Sequence, residues 1–204
     1  MSSLDTVPGS DGRPRCRWCA AAPEFEDYHD LEWGFPVADD LRLFEKLCLE
    51  SFQSGLSWRT ILVKRDNFRR AFAGFDFHRM ARYDTTDIER LLQDAGIVRH
   101  RGKIEAVIHN AGCAARLQAE RGSLAAYFWQ FETNPASRAP AQSASVSPDS
   151  IALSKDLKKR GWKFVGPTTV YAFMQSVGLV NDHVAQCVIA DRVAHAREVF
   201  RLPV

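Results

Sequence analysis

Residues 158–184 read KKRGWKFVGPTTVYAFMQSVGLVNDHV, and this stretch decides the fold class. A basic segment, Lys158–Arg160, stops at Gly161. A short apolar turn, Phe164-Val165-Gly166-Pro167, follows, and a second helical pattern runs from about Thr168 to Gly178. Gly166 permits φ values that other residues avoid, and Pro167 suits a first helical position, whose N–H is unpaired anyway. Two helices joined this way leave backbone N–H groups at a helix N-terminus, where a phosphate can sit. Lys158, Lys159, Arg160 and Lys163 would supply the surrounding positive field. A plain turn with a solvated basic end would carry the same letters.

Working outward, the apolar spacing stays helical. Asp39 and Asp40 are placed to cap a segment with Leu41, Phe44, Leu47 and Cys48 on one stripe. Ser57 opens Trp58–Phe72, with Ile61, Leu62, Phe68 and Phe72 inward. Asp84–Thr86 caps a helix through Ile88, Leu91, Leu92 and Ala95, which Gly96 is expected to close. Ile104 to Leu117 describes a long helix ending near Gly122, and Ser123 starts Leu124–Phe131. Residues 133–150 are rich in Pro, Ser and Ala and read as a loop. Helical pattern resumes over Ile151–Arg160 and again from about Asn181. No alternating run suggests a strand. The expected fold is all-α: a flexible extension over 1–14, one helical domain over 15–189 with the hairpin region at 154–183, and a tail over 190–204.

The 204 residues are 46% apolar and 25% charged, which suits one globular domain hiding about 70% of its unfolded surface. No apolar run reaches the ~18 residues of a membrane span, and Met1–Pro14 has no apolar leader core; a cytoplasmic, membrane-free monomer is expected. The net charge of +2 conceals an asymmetry, because residues 1–50 carry five basic against eleven acidic groups and the later segments are basic. Such a division can mark a polyanion-binding face. Five cysteines, an odd number, argue against a disulfide framework and for metal, redox or buried thiols.

Four metal-eligible side chains gather at two chain ends. His183 and Cys187 are four apart, so on a helix both would face one side. By spacing alone, Cys16-x-x-Cys19 would complete a tetrahedral site, although two incidental thiols and a core histidine would look the same.

Seven motifs then point to one family. Cys16-x-Trp18, Tyr28-His29-Asp30-x-Glu32-Trp33-Gly34, Leu49-Glu50-x-x-Gln53-x-Gly55-Leu56-Ser57-Trp58, Gly96-Ile97-Val98-Arg99, Lys103-Ile104, Lys158–Gly161 and Asn181-Asp182-His183 together resemble the constitutive bacterial DNA-3-methyladenine glycosylase I family. The resemblance runs from Cys16 to Cys187. It implies a helix-hairpin-helix fold, and a structural Zn²⁺ on Cys16, His29, His183 and Cys187, with Cys19 a bystander. It implies double-stranded DNA containing 3-methyladenine as partner and substrate. Hairpin contacts to DNA would come from Lys163, Val165, Gly166 and Thr168. In bifunctional relatives of that superfamily a lysine nucleophile stands where Thr168 stands, and an aspartate where Asn181 stands, so no lyase activity is implied.

The same resemblance gives a purpose to the segment Leu49–Trp58. 3-Methyladenine in DNA is cationic, and electron-rich rings at Trp18, Tyr28, Trp33 and Trp58 attract a cationic π-system at roughly 0.5–2 kcal/mol per contact. Glu50 would add a charge-assisted hydrogen bond, as the catalytic residue. Gln53, Gly55 and Leu56 would fill the space left by the everted nucleotide. Phe25 stands where family members often place a tyrosine. Two other functions compete: a non-catalytic DNA-binding module using the same hairpin, and a thiol or metal enzyme using the Cys16–Cys19 pair.

Overall fold

The computed structural model describes residues 5–202, and its organising element is a helix buried on nearly every side. This helix, α2 (Asp40–Gln53), follows α1 (Glu24–Leu31) and has ten consecutive buried residues, Leu43 to Phe52. Asp39 caps it by accepting the Arg42 N–H at 2.8 Å, as its sequence implies. Leu41, expected on the inward stripe, is instead 39% exposed, since the first turn projects past the core.

The expected helix Trp58–Phe72 is two short ones, α3 (Trp58–Leu62) and α4 (Arg65–Ala71), which turn the chain around Phe68 and Phe72. Next come α5 (Phe77–Met80) and α6 (Thr85–Gln93), the latter opened by a capping box from Asp84. Gly96 does not close α6. The helix ends at Asp94, whose carboxylate accepts the Gly96 N–H at 2.7 Å. Gly122, with φ +83°, does end α7 (Arg101–Arg121), and Ser123 caps α8 (Leu124–Phe128). The Pro/Ser-rich stretch is irregular as far as Ser147 except for a single turn at Pro135–Ser137, and its last three residues already belong to the next helix. Then α9 (Pro148–Lys159) and α10 (Pro167–Val177) form the hairpin, and α11 (Ala190–Val199) closes the chain. Packing α10, α7 and α8 against α2 buries Phe44, Phe52, Phe128 and Phe173 in one core.

Both chain ends depart from the sequence expectation. The extension expected to be flexible contains an antiparallel hairpin, β1 (Thr6–Pro8) with β2 (Pro14–Cys16), paired Thr6 to Cys16. Its anchor is Arg15, 4% exposed, whose guanidinium meets Asp30 at 2.7 Å and Asp11 at 2.5 Å. The expected tail is a helix held by Arg197, which pairs with Glu132 at 2.5 Å, and by Val193, which is buried. Conversely, residues 181–189 are turns rather than helix.

One glycine is structurally required. Gly178 ends α10 at φ +83°, and a Cβ there would lie 2.7 Å from Gly34 O and 2.8 Å from Pro36 N. The close approach lets Gly34 N–H and Val37 N–H donate to Gln175 O and Val177 O. Gly178→Ala is expected to cost about 3 kcal/mol or more, from left-handed strain plus a backbone clash. Thermal unfolding should show a Tm loss of roughly 6–12 °C. Gly55→Ala, also at positive φ but in open space, should cost only about 1–2 kcal/mol.

Candidate active site and metal centre

A cavity of about 320 Å³ opens between α1, α3, the middle of α10 and the C-terminal half of α2. Trp18, Tyr28, Trp33 and Trp58 make its aromatic walls, and Glu50 and Gln53 enter from α2. The motifs that sequence alone scattered over forty residues therefore meet around one space. Tyr28 and Trp58 stand 5.2 Å apart between ring centroids, and Trp18 presents an edge to Trp33 at 5.0 Å. Phe25 packs against Trp18 at 5.8 Å. The indole N–H groups of Trp18 and Trp58 are buried with no acceptor among the described residues.

Glu50 is the unusual group. It is 5% exposed, and no described residue donates a hydrogen bond to its carboxyl group. Burial pushes its pKa from 4.5 up to about 8, against the opposing field of Lys46. A buried carboxylate without donors is costly, so this side chain suits a cationic visitor better than an empty pocket.

Sequence reasoning missed the opposite wall. Gln142, Ala144, Ala172 and Gln175 complete the pocket, the first two from the Pro/Ser-rich stretch that reads in sequence only as a loop. Low-complexity composition gives no signal for this; only the fold brings residue 142 beside residue 18. Asp182 fixes that wall, accepting from Gln175 Nε2 at 2.7 Å and from the Gln142 backbone N–H at 3.1 Å.

The turn after α2 borders the pocket. Gly55 there has φ +78°, and Leu56 is 41% exposed. Lys103 donates to Phe52 O at 2.8 Å and Ser54 O at 2.5 Å, holding the turn in place. The hairpin lies at the other end of α10 and does not line the cavity. Its left-handed residues are Gly161, at φ +87°, and Phe164, at φ +55°, whereas Gly166 has φ −64°. Gly166 thus does not use the backbone freedom that glycine offers, because the bend falls before the apolar turn is complete. Carbonyl groups of the turn point inward, where Gly161 O, Lys163 O, Phe164 O and Val165 O meet His109, Asn110, Ser51 and Ser154. Of their N–H groups, that of Gly161 donates to Lys158 O and that of Lys163 to Asn110 Oδ1, while those of Phe164 and Val165 have no hydrogen-bond partner among the described residues. Lys163 and Thr168 are exposed, and Val165 is buried.

Beside the pocket, Cys16, His29, His183 and Cys187 bring four ligand atoms within 4.8 Å of one another, all buried. Cys16 Sγ and Cys187 Sγ each lie 3.6 Å from His183 Nδ1, and Cys187 Sγ lies 3.5 Å from His29 Nε2. The outward nitrogens are tied: His29 Nδ1 to Asp30 at 2.7 Å and His183 Nε2 to Trp33 O at 3.1 Å. Those bonds place both donor hydrogens outside and both lone pairs inside. The Cys16 thiol hydrogen-bonds to Cys187 and holds it well below the usual thiol range. The cluster could hold a metal ion. Cys19, the partner favoured by spacing, is buried outside it, since the backbone turn after Cys16 directs the two thiols apart.

A family model described as methyladenine glycosylase matches residues 18–190. The chain belongs to the methyladenine glycosylase family. Among relatives, it is 48% identical over 177 residues to DNA-3-methyladenine glycosylase 1 of Escherichia coli strain K12, covering 85% of this chain and 95% of that one. A crystal structure of a 3-methyladenine DNA glycosylase I superimposes with a TM-score of 0.77 at 46% identity, over 85% and 98% of the two chains. A Staphylococcus aureus 3-methyladenine DNA glycosylase I, solved to explain 3-methyladenine recognition, gives the same TM-score at 34% identity, over 84% and 95%. Every pocket residue of this methyladenine glycosylase lies inside the matched segment.

Glu50 carries a stability signature. Folded, it keeps its proton to about pH 8; unfolded, it loses it near 4.5. Between those values the native state binds more protons, so stability falls as pH rises. Glu50→Gln should remove this slope, stabilising the protein at pH 8 by about 2–4 kcal/mol and scarcely at all at pH 4.5. Thermal unfolding of both proteins at the two pH values measures the difference.

Proposed function

We propose that this family member is a monofunctional DNA base-excision glycosylase that everts 3-methyladenine from double-stranded DNA and hydrolyses its N-glycosidic bond. The observation that carries the reading is the donorless carboxyl group of Glu50 in an aromatic pocket. A cationic base supplies what the protein withholds from Glu50, a positive charge and N–H donors. Neutral adenine offers N–H donors but no positive charge, and it gains less from Trp18, Tyr28, Trp33 and Trp58. Selection therefore begins with the charge of the lesion.

The bond that breaks is C1′–N9, and its electron pair leaves with the base, which departs neutral. The sugar passes through oxocarbenium character, and water adds to C1′ and gives up a proton, leaving an abasic site. A good leaving group makes a strong carboxylate at position 181 dispensable; the Asn181 side chain donates to Ala190 O at 3.1 Å. Thr168 offers no amine, so no Schiff base and no strand cleavage are expected. The outward N–H groups at the start of α10, with Lys163 and Thr168 beside Gly166, suit a DNA phosphate. Val165 contributes by packing beneath the turn rather than by contact. Leu56 and Gln53, on the turn shaped by Gly55, are placed to fill the vacated stack. The protein is read as a cytoplasmic monomer; no helix among the described residues is long and apolar enough to cross a membrane.

The metal is read as Zn²⁺ on Cys16, His29, His183 and Cys187. Tetrahedral zinc with bonds of ~2.3 Å to sulfur and ~2.05 Å to nitrogen gives S···N edges of about 3.6 Å, which the cluster matches. Bound zinc would tie residues 16 and 29 to residues 183 and 187 and stabilise the fold.

Two measurements test this. Chromatography of bases released from methylated duplex DNA should show 3-methyladenine, with Glu50→Gln at least about 100-fold slower and metal content unchanged. Release at the parent rate from Glu50→Gln would remove the role given to this residue. Elemental analysis should find one zinc per chain, retained in Cys19→Ser and lost in Cys187→Ser together with thermal stability; retention in Cys187→Ser would exclude the four-ligand site.

A further inference from the structure

Lys46 is buried on α2 without a full ion pair of its own. Its side chain is 7% exposed, and its ammonium lies 3.7 Å from Glu32 Oε2. The same oxygen is taken more closely by Arg65 at 2.8 Å and Arg42 at 3.3 Å. Lys46 Nζ also stands 5.4 Å from the ring centroid of Tyr28. Tyr28 lines the pocket and Lys46 does not. Glu50, which does, is four residues further along α2, on the same face.

We propose that Lys46 is a positioning residue: its ammonium, packed against Tyr28 one helical turn before Glu50, sets the pH at which Glu50 becomes a carboxylate while leaving that carboxylate free for the base. The inference rests on the reading of Glu50 given above. A cation in direct contact would occupy the lone pairs that the base needs. A cation one helical turn away supports the negative charge without occupying them.

The surroundings leave this task to Lys46. Apart from Glu50, the groups lining the pocket are the phenol of Tyr28 and neutral tryptophan, glutamine and alanine side chains. Lys103 comes near the end of α2, but its ammonium is committed to Phe52 O and Ser54 O. Asp182 stands behind Gln175 and Gln142, held by their hydrogen bonds and with no cation in contact among the described residues. Around Lys46 itself, Glu32 attracts, Arg42 and Arg65 repel, and Glu50 attracts. Because three cations share Glu32, Lys46 keeps field to spare. Burial lowers its pKa to about 8, and Lys46 is the charge that opposes the upward push of burial on Glu50.

The test uses the full chain labelled with ¹³C at glutamate side-chain carboxyls and titrated by NMR. The resonance missing from Glu50→Gln belongs to Glu50. Lys46→Met, close in volume, should raise the Glu50 midpoint by about one to two pH units. Lys46→Arg, which keeps the charge, should move it by less than about half a unit. The acid limb of 3-methyladenine release should shift with the Lys46→Met midpoint. An unmoved midpoint in Lys46→Met, or an equal shift in Lys46→Arg, overturns the proposal. A midpoint that moves while the release profile stays put supports Lys46 and defeats the role of Glu50 in release.

Discussion

Burying α2 on nearly every side forces Glu45, Lys46 and Glu50 into the interior, and the protein resolves the three charges differently. Glu45 is paired in full, by Arg42 at 2.8 Å and Arg69 at 2.9 Å. Lys46 shares Glu32 with two arginines. Glu50 receives no hydrogen bond from any described residue. Desolvation energy is thus left uncompensated at one point, and that point is the floor of the aromatic cavity. The rest of the site follows from this imbalance, because whatever enters gains most by bringing positive charge.

The pocket and the metal cluster share a wall. Trp33 lines the cavity, its backbone carbonyl accepts from His183 Nε2, and its ring meets His183 edge-on at 4.6 Å. Gln142 and Gln175, on the far side, are held by Asp182, the residue before His183. A tie between the chain ends therefore sets the positions of aromatic and amide groups together. The N-terminal hairpin belongs to the same unit, since Arg15 braces Asp30, which in turn orients His29.

Helical periodicity, caps and glycine stops were readable because they act within a turn or two of the chain: Asp39, Asp84 and Ser123 each cap where expected. Features set by distant partners were not. Cys19 satisfies local spacing yet misses the cluster, while His29 joins it through a ring whose direction α1 decides. The left-handed residues of the hairpin are Gly161 and Phe164 and not Gly166, because inward bonds from Ser51, Asn110 and Ser154 hold the turn. The extension over residues 1–14 reads as polar and loose, yet Arg15 finds carboxylates from Asp11 and Asp30 and the segment folds onto α1.

By itself, the sequence determined the all-α class, the family and the motifs that hold Glu50 and the aromatic residues, because periodicity and contiguous motifs encode them locally. Only the tertiary structure decided that residue 142 faces residue 18, that Glu50 is left without a donor and that Lys46 lies against Tyr28. Desolvation and charge sharing depend on which distant surfaces meet, and no local pattern of letters carries that information.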